Sequence, residues 1–149
     1  MEELIICSKC KERRPLVRFA IRTDNGGKLR KECKDCTNKR INKLRASYRK
    51  QVFDFYGWEC KCCGEAEPTF MTIDHVNNDG YLDKMKYGRN RKLVSKDLYY
   101  KIIFVEKFPL NRYQTLCHNC NFGKWDGRTC PHQKTNILQT GKKQEYVQS

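Results

Sequence analysis

Residues 116–121 read Leu116-Cys117-His118-Asn119-Cys120-Asn121, and residues 58–64 read Trp58-Glu59-Cys60-Lys61-Cys62-Cys63-Gly64. Each stretch carries a Cys-x2-Cys pair, the spacing at which a short loop turns two sulfurs toward one tetrahedral ion. Cys60, Cys63, Cys117 and Cys120 therefore compose one four-thiolate zinc site, closed across a long intervening segment. Cys62 directly precedes Cys63, with no chelate loop between them, and is left unliganded. Zinc held by four thiolates has no open position, so such a site builds structure and performs no chemistry itself.

The same spacing occurs nearer the start, in Cys7-Ser8-Lys9-Cys10 and Cys33-Lys34-Asp35-Cys36, with the turn signal Asp24-Asn25-Gly26-Gly27 between them. These residues predict a zinc-ribbon-like module over residues 1–36, with a second Zn2+ on Cys7, Cys10, Cys33 and Cys36. Backbone N–H groups of each knuckle are expected to face the sulfurs, and Phe19 and Ile21 to form the small core beneath the metal. Over residues 37–56, Ile41, Leu44, Tyr48, Val52, Phe55 and Tyr56 recur at three-to-four spacing. That periodicity predicts an amphipathic linker helix. Its other positions, Lys39, Arg40, Lys43, Arg45, Arg49 and Lys50, are placed to meet DNA phosphates.

Ten cysteines in 149 residues is a high proportion, and most are paired for chelation. With no apolar leader and no run long enough to span a bilayer, the pattern points to a reducing, intracellular and cytoplasmic setting without membrane contact. The formal net charge is +14, of which +9 falls in residues 1–56. An excess so concentrated suits a polyanionic partner, and a phosphate backbone is the commonest one a soluble protein meets.

Between the knuckles of the second half, residues 69–76 read as a strand, followed by a loop rich in Asn, Gly and Lys. A helix is then expected from Ser95 to before Pro109, with Leu98, Ile102 and Ile103 facing the core. Trp58 and Trp125 read as packing residues beside the knuckles. The polar tail, residues 129–149, lacks periodicity, and its Cys130-Pro131-His132 offers only two ligands where zinc wants four. The reactive groups lie elsewhere. Asp74-His75 ends the predicted strand, and Asn121 follows the last paired cysteine. Closing the thiolate site brings this carboxylate, imidazole and amide into one pocket.

Taken together, Cys60-x2-Cys63, Asp74-His75 and Leu116-Cys117-x2-Cys120-Asn121-x2-Lys124 resemble the zinc-bearing form of the HNH nuclease pattern over residues 57–128. The sequence is especially similar to phage and mobile-element members in which Asn replaces the final His. The resemblance implies a small α+β, zinc-stabilised fold: a zinc ribbon and basic helix, then a ββα-metal HNH domain. It also implies that Asp74 and Asn121 ligate one catalytic Mg2+ or Mn2+ and that His75 is the general base. Asn111 is the nearest match to the family's middle Asn, which orients that histidine, and Lys124 is placed to contact a phosphate. The implied reaction is one-metal hydrolysis of DNA phosphodiesters, leaving 5'-phosphate and 3'-hydroxyl ends, and a phage-encoded origin would fit. The competing class is a non-catalytic zinc-ribbon nucleic-acid-binding protein or transcriptional regulator, which has no use for an Asp74-His75-Asn121 pocket. A RING- or LIM-type adaptor fits less well, because its ligands interlace. DNA specificity, nicking against double-strand cleavage, monomer against dimer, and the role of His118 stay open at this level.

Overall fold

In a computed structural model, which describes residues 3–22, 26–86, 95–124 and 129–133, the first knuckle joins two short antiparallel strands, β1 (Leu4–Ile6) and β2 (Arg13–Pro15). A second antiparallel pair follows, β3 (Phe19–Ile21) and β4 (Leu29–Cys33). Their connection includes Gly26 and Gly27 at φ of 61° and 76°, left-handed values that glycine adopts without a Cβ clash. Helix α1 (Lys34–Tyr56) begins directly on β4, so its first turn carries Cys36. The chain divides into two compact units, residues 1–47 and 48–149, and α1 contributes residues to both.

The core of the first unit is mostly sulfur: Cys7, Phe19 and Cys33 are buried, with Ile5, Cys10 and Cys36 against them. Phe19 takes the predicted place, but Ile21 is 63% exposed. The β3–β4 register shifts between these residues, since Phe19 faces Cys33 while Ile21 faces Leu29. Such an irregularity defeats the two-residue alternation that would have put both side chains on one face. Helix α1 starts at Lys34, three residues before the predicted Thr37. Its early Asp35 is held below the usual carboxylate range by the Arg18 guanidinium, 2.7 Å away.

The second unit is built around an antiparallel pair, β5 (Met71–His75) and β6 (Tyr113–Cys117), in which Met71 faces Cys117 and His75 faces Tyr113. Between these strands lie α2 (Gly80–Lys86) and α3 (Ser95–Tyr100), the latter continuing as a π-helical turn over Lys101–Val105. Helix α4 (His118–Gly123) follows β6 without a loop and packs on both strands. The helix expected to reach toward Pro109 ends at Val105. Lys107 and Phe108 then take left-handed φ values of 51° and 57°, which turn the chain toward β6. As expected, Ile102 is fully buried, with Leu98 and Ile103 partly so. Trp125, residues 87–94 and the tail beyond 133 lie outside the described residues.

In α1 the buried residues are Val52, Phe53 and Tyr56, whereas the predicted core positions Leu44 and Phe55 are 47% and 46% exposed. Consecutive helical residues are 100° apart, so burying 52, 53 and 56 turns the buried stripe away from 44 and 55. Phe53 also has local partners: it stacks on Trp58 at 4.9 Å, and the Arg49 guanidinium lies 4.3 Å from its ring centre.

The two units share a plan. In the first, Cys7 N–H donates to Glu12 O (3.0 Å), Lys11 N–H to Cys7 O (2.9 Å), and Ser8 N–H to Lys31 O (2.9 Å). In the second, Cys60 N–H donates to Glu65 O (2.8 Å), Gly64 N–H to Cys60 O (2.9 Å), and Lys61 N–H to Thr115 O (3.0 Å). Lys11 and Gly64, each following the knuckle's second cysteine, are both left-handed, at φ of 64° and 77°. Each knuckle thus faces a strand whose last residue is a cysteine and a helix whose first turn holds another. Among the described residues no helix is long and apolar enough to cross a membrane.

Two substitutions in α1 separate the buried stripe from the exposed one. Phe53→Ala is expected to lower stability by about 3–5 kcal/mol. Leu44→Ala should cost less than about 0.5 kcal/mol. Both are read as shifts in urea midpoint at saturating Zn2+.

Candidate metal and cleft site

The cysteine groups come first, because Cys33 and Cys117 end the strands β4 and β6. Cys7, Cys10, Cys33 and Cys36 form one group and Cys60, Cys63, Cys117 and Cys120 another, with the ligand atoms of each within 4.8 Å of one another. Cys63 and Cys117 sulfurs are 3.8 Å apart. Four thiolates at about 2.3 Å around tetrahedral zinc stand about 3.8 Å from each other, so the ligand set and its spacing fit that ion. Backbone amides face the sulfurs, as expected: Cys33 and Lys9 N–H donate to Cys7 Sγ at 3.3 and 3.4 Å. The amide of Cys33, with those of Cys10 and Lys9, draws the Cys7 thiol down to about 6. At Cys60 burial works upward, yet the amides of Cys117, Cys63 and Cys62 bring the thiol down to about 7. Cys62, given no ion in the sequence reading, lies with Cys120, Cys130 and His132 in a third group, also within 4.8 Å.

The Cys117 sulfur accepts the Cys120 N–H at 3.5 Å and so caps α4. With α4 anchored there, Asn121 Nδ2 donates to Thr72 Oγ1 on β5 at 2.8 Å. Two residues along β5, Asp74 Oδ2 accepts from Gln114 Nε2 (2.9 Å) and Lys124 Nζ (2.7 Å). Asp74, His75 and Asn121 border one open cleft of about 720 Å³, together with Thr72, His118 and Lys124. The three residues singled out in the sequence therefore share a cavity. His118 is exposed at its rim.

Adjacent strand residues face opposite ways, so His75 meets different neighbours from Asp74. Its Nε2 is 3.0 Å from Asp83 Oδ2, and its ring lies edge-on to Tyr113 at 4.8 Å. Asn111, expected to orient this imidazole, is exposed in the turn before β6; the carboxylate of Asp83 is what reaches a ring nitrogen. Asp83 is itself buried and bound by Lys101 (2.6 Å) and Arg112 (2.8 Å), and both cations also reach Glu106, at 3.0 and 2.8 Å. Tyr113 OH donates to Glu106 at 2.7 Å, and burial with this carboxylate pushes the phenol well up. Burial would raise Asp83, but Lys101 and the His75 hydrogen bond outweigh it and hold the carboxyl low. Asp83 went unnoticed in the sequence because it follows an Asn/Gly-rich stretch. Lys101 did leave a signal, since it sits at helical spacing with Leu98 and Ile102 on the buried face.

The predicted phosphate contacts divide. Lys39, Lys43 and Arg45 are exposed on α1, Arg40 is exposed beside Glu32 (3.7 Å), and Lys50 pairs with Asp54. Arg49 turns inward instead. It donates to Met71 O (3.1 Å), Tyr99 OH (3.3 Å) and Pro68 O, so its guanidinium is committed to the fold. Lys124 is likewise drawn in, with its ammonium on Asp74 and on the carbonyls of His75 (3.2 Å) and Val76 (3.1 Å). No family model, curated protein or solved structure matches this chain.

Replacing Asp83 by Asn leaves Lys101 and Arg112 short of one counter-charge inside the fold, and should cost about 3 kcal/mol near neutral pH. The folded pKa of Asp83 is depressed, so its contribution is fully present above the unfolded carboxylate value and is lost as pH falls through the folded value. Denaturation midpoints followed into the acid range should therefore fall less steeply for Asp83→Asn than for wild type.

Proposed function

We propose that the chain is a divalent-metal-dependent DNA endonuclease of the HNH, ββα-metal kind, hydrolysing phosphodiesters to 5'-phosphate and 3'-hydroxyl ends. The observation that carries this reading is the meeting of Asp74, His75 and Asn121 along one open cleft, at a strand end and a sulfur-capped helix. In this reading the two four-cysteine groups hold structural Zn2+.

The donors suit a hard cation. Asp74 spends Oδ2 on Gln114 and Lys124, and Asn121 spends its amide nitrogen on Thr72. Oδ1 of each is the oxygen this pair offers an ion. Asp74 and Asn121 would hold Mg2+ or Mn2+, which when bound offsets charge on a phosphoryl oxygen and on the leaving oxygen.

His75 supplies the proton chemistry. A carboxylate only accepts hydrogen bonds, so the Asp83 contact assigns the imidazole proton to Nε2 and the lone pair to Nδ1. Nδ1 takes a proton from the attacking water, and Asp83 offsets the charge of the imidazolium that forms. Gly80 packs against this side of the ring, and a Cβ there would crowd Nδ1 at 3.0 Å. Lys39, Lys43 and Arg45 provide phosphate contacts along α1, which makes binding steeply salt-dependent.

One observation favours a second reading, a nucleic-acid-binding protein that does not cut. The Lys124 ammonium, 2.7 Å from Asp74, already neutralises the carboxylate that an ion would use.

Supercoiled plasmid separates the two. Wild type should nick it only with Mg2+ or Mn2+, and His75→Ala should slow nicking by about 100-fold or more while keeping zinc content and salt-sensitive DNA binding. Binding without cleavage under every divalent ion tried would hand the case to the second reading.

A further inference from the structure

Two four-cysteine groups account for eight of the ten cysteines, and the two left over do not stand apart. Cys62 and Cys130 gather with His132 around the sulfur of Cys120, which already belongs to the group of Cys60, Cys63 and Cys117. His132 Nδ1 is 3.2 Å from Cys120 Sγ and 3.6 Å from Cys130 Sγ. In a tetrahedral zinc site a sulfur and a nitrogen ligand stand about 3.5 Å apart, and three thiolates with one imidazole are a common zinc ligand set.

We propose that the second unit holds a dinuclear zinc cluster in which the Cys120 thiolate bridges two ions. Cys60, Cys63 and Cys117 complete one tetrahedron; Cys62, Cys130 and His132 complete the other. A thiolate sulfur carries three lone pairs, so binding two ions at once is within its valence.

Three independent features support the second tetrahedron. The knuckles of the two units make matching backbone hydrogen bonds, yet Cys62 stands where the first has Lys9. A four-thiolate centre of this plan does not need a ligand at that place, so the extra cysteine serves something else. The Cys130 segment, moreover, lies directly against α4 at Gly123. A Cβ there would meet Pro131 Cδ at 3.3 Å and Cys130 Sγ at 3.4 Å, so glycine admits the close approach. There is also a route in, because Cys62, Cys120 and Cys130 border a cavity of about 260 Å³.

Gln114 and Lys124 border the same cavity while holding Asp74, which places the second ion beside the cleft. The inference does not depend on the nuclease reading, because metal content is measured without any cleavage assay.

The test uses the full chain, purified under reducing conditions and saturated with zinc. Elemental analysis should give three zinc ions per chain for wild type and one fewer for both Cys62→Ser and His132→Ala. Because either variant could misfold, wild type loaded with 113Cd provides a second readout. Two of its cadmium resonances should be scalar-coupled to each other through the shared sulfur. Two ions per wild-type chain would overturn the proposal. So would a third ion kept by both variants, an absence of cadmium–cadmium coupling, or a Cys62–Cys130 disulfide detected as the loss of two hydrogens in mass.

Discussion

Cys117 ends β6, caps α4 through its sulfur and belongs to a four-thiolate group. On this junction the second unit depends. A six-residue helix is too short to persist on propensity alone, so the position of Asn121 and Lys124 is set by the sulfur cap and by packing on the strands. The opposite knuckle is tied to the same strand through the Lys61 N–H and Thr115 O bond. Ligation there would therefore fix the two strand ends and the helix start in one event.

What could be read from the residues, and what could not, follows from the range of each interaction. A Cys-x2-Cys pair is local and chemically discrete, so both four-thiolate groups were visible in the spacing. Asp74-His75 and Asn121 were placeable because each adjoins a strand end or a knuckle. The third group was hidden: Cys62 meets Cys130 and His132 only because Gly123 lets a distant segment come close. Charge alone assigns Arg49 and Lys124 to phosphate, and only tertiary structure shows carbonyls and a carboxylate drawing them inward. The repeated plan of the two units escaped notice because it lies in backbone hydrogen bonds, with Glu12 and Glu65 as its faint echo in the side chains.

Behind His75 stands a balanced set of charges: Asp83 and Glu106 against Lys101 and Arg112. Buried ions are expensive to desolvate, and such a set is tolerable because its members neutralise one another at hydrogen-bond distance. The same arrangement gives the imidazole a fixed anionic partner. Structure and chemistry meet at Asp83, which belongs to the buried charge set and also touches the ring. Under the nuclease proposal a change there would alter folding and proton transfer together, so the two effects have to be measured separately.

The count of sulfurs also changes how the whole molecule presents itself to a polyanion. The formal charge of +14 treats every thiol as neutral. In the same formal count, each four-cysteine group that takes up Zn2+ sheds four protons and accepts two positive charges, leaving the formal charge two units lower. A metal-stripped chain is therefore the more cationic one, even though the scaffold that arranges its cleft has lost its ties. Retention on a phosphate-bearing matrix would then reward the damaged form over the intact one.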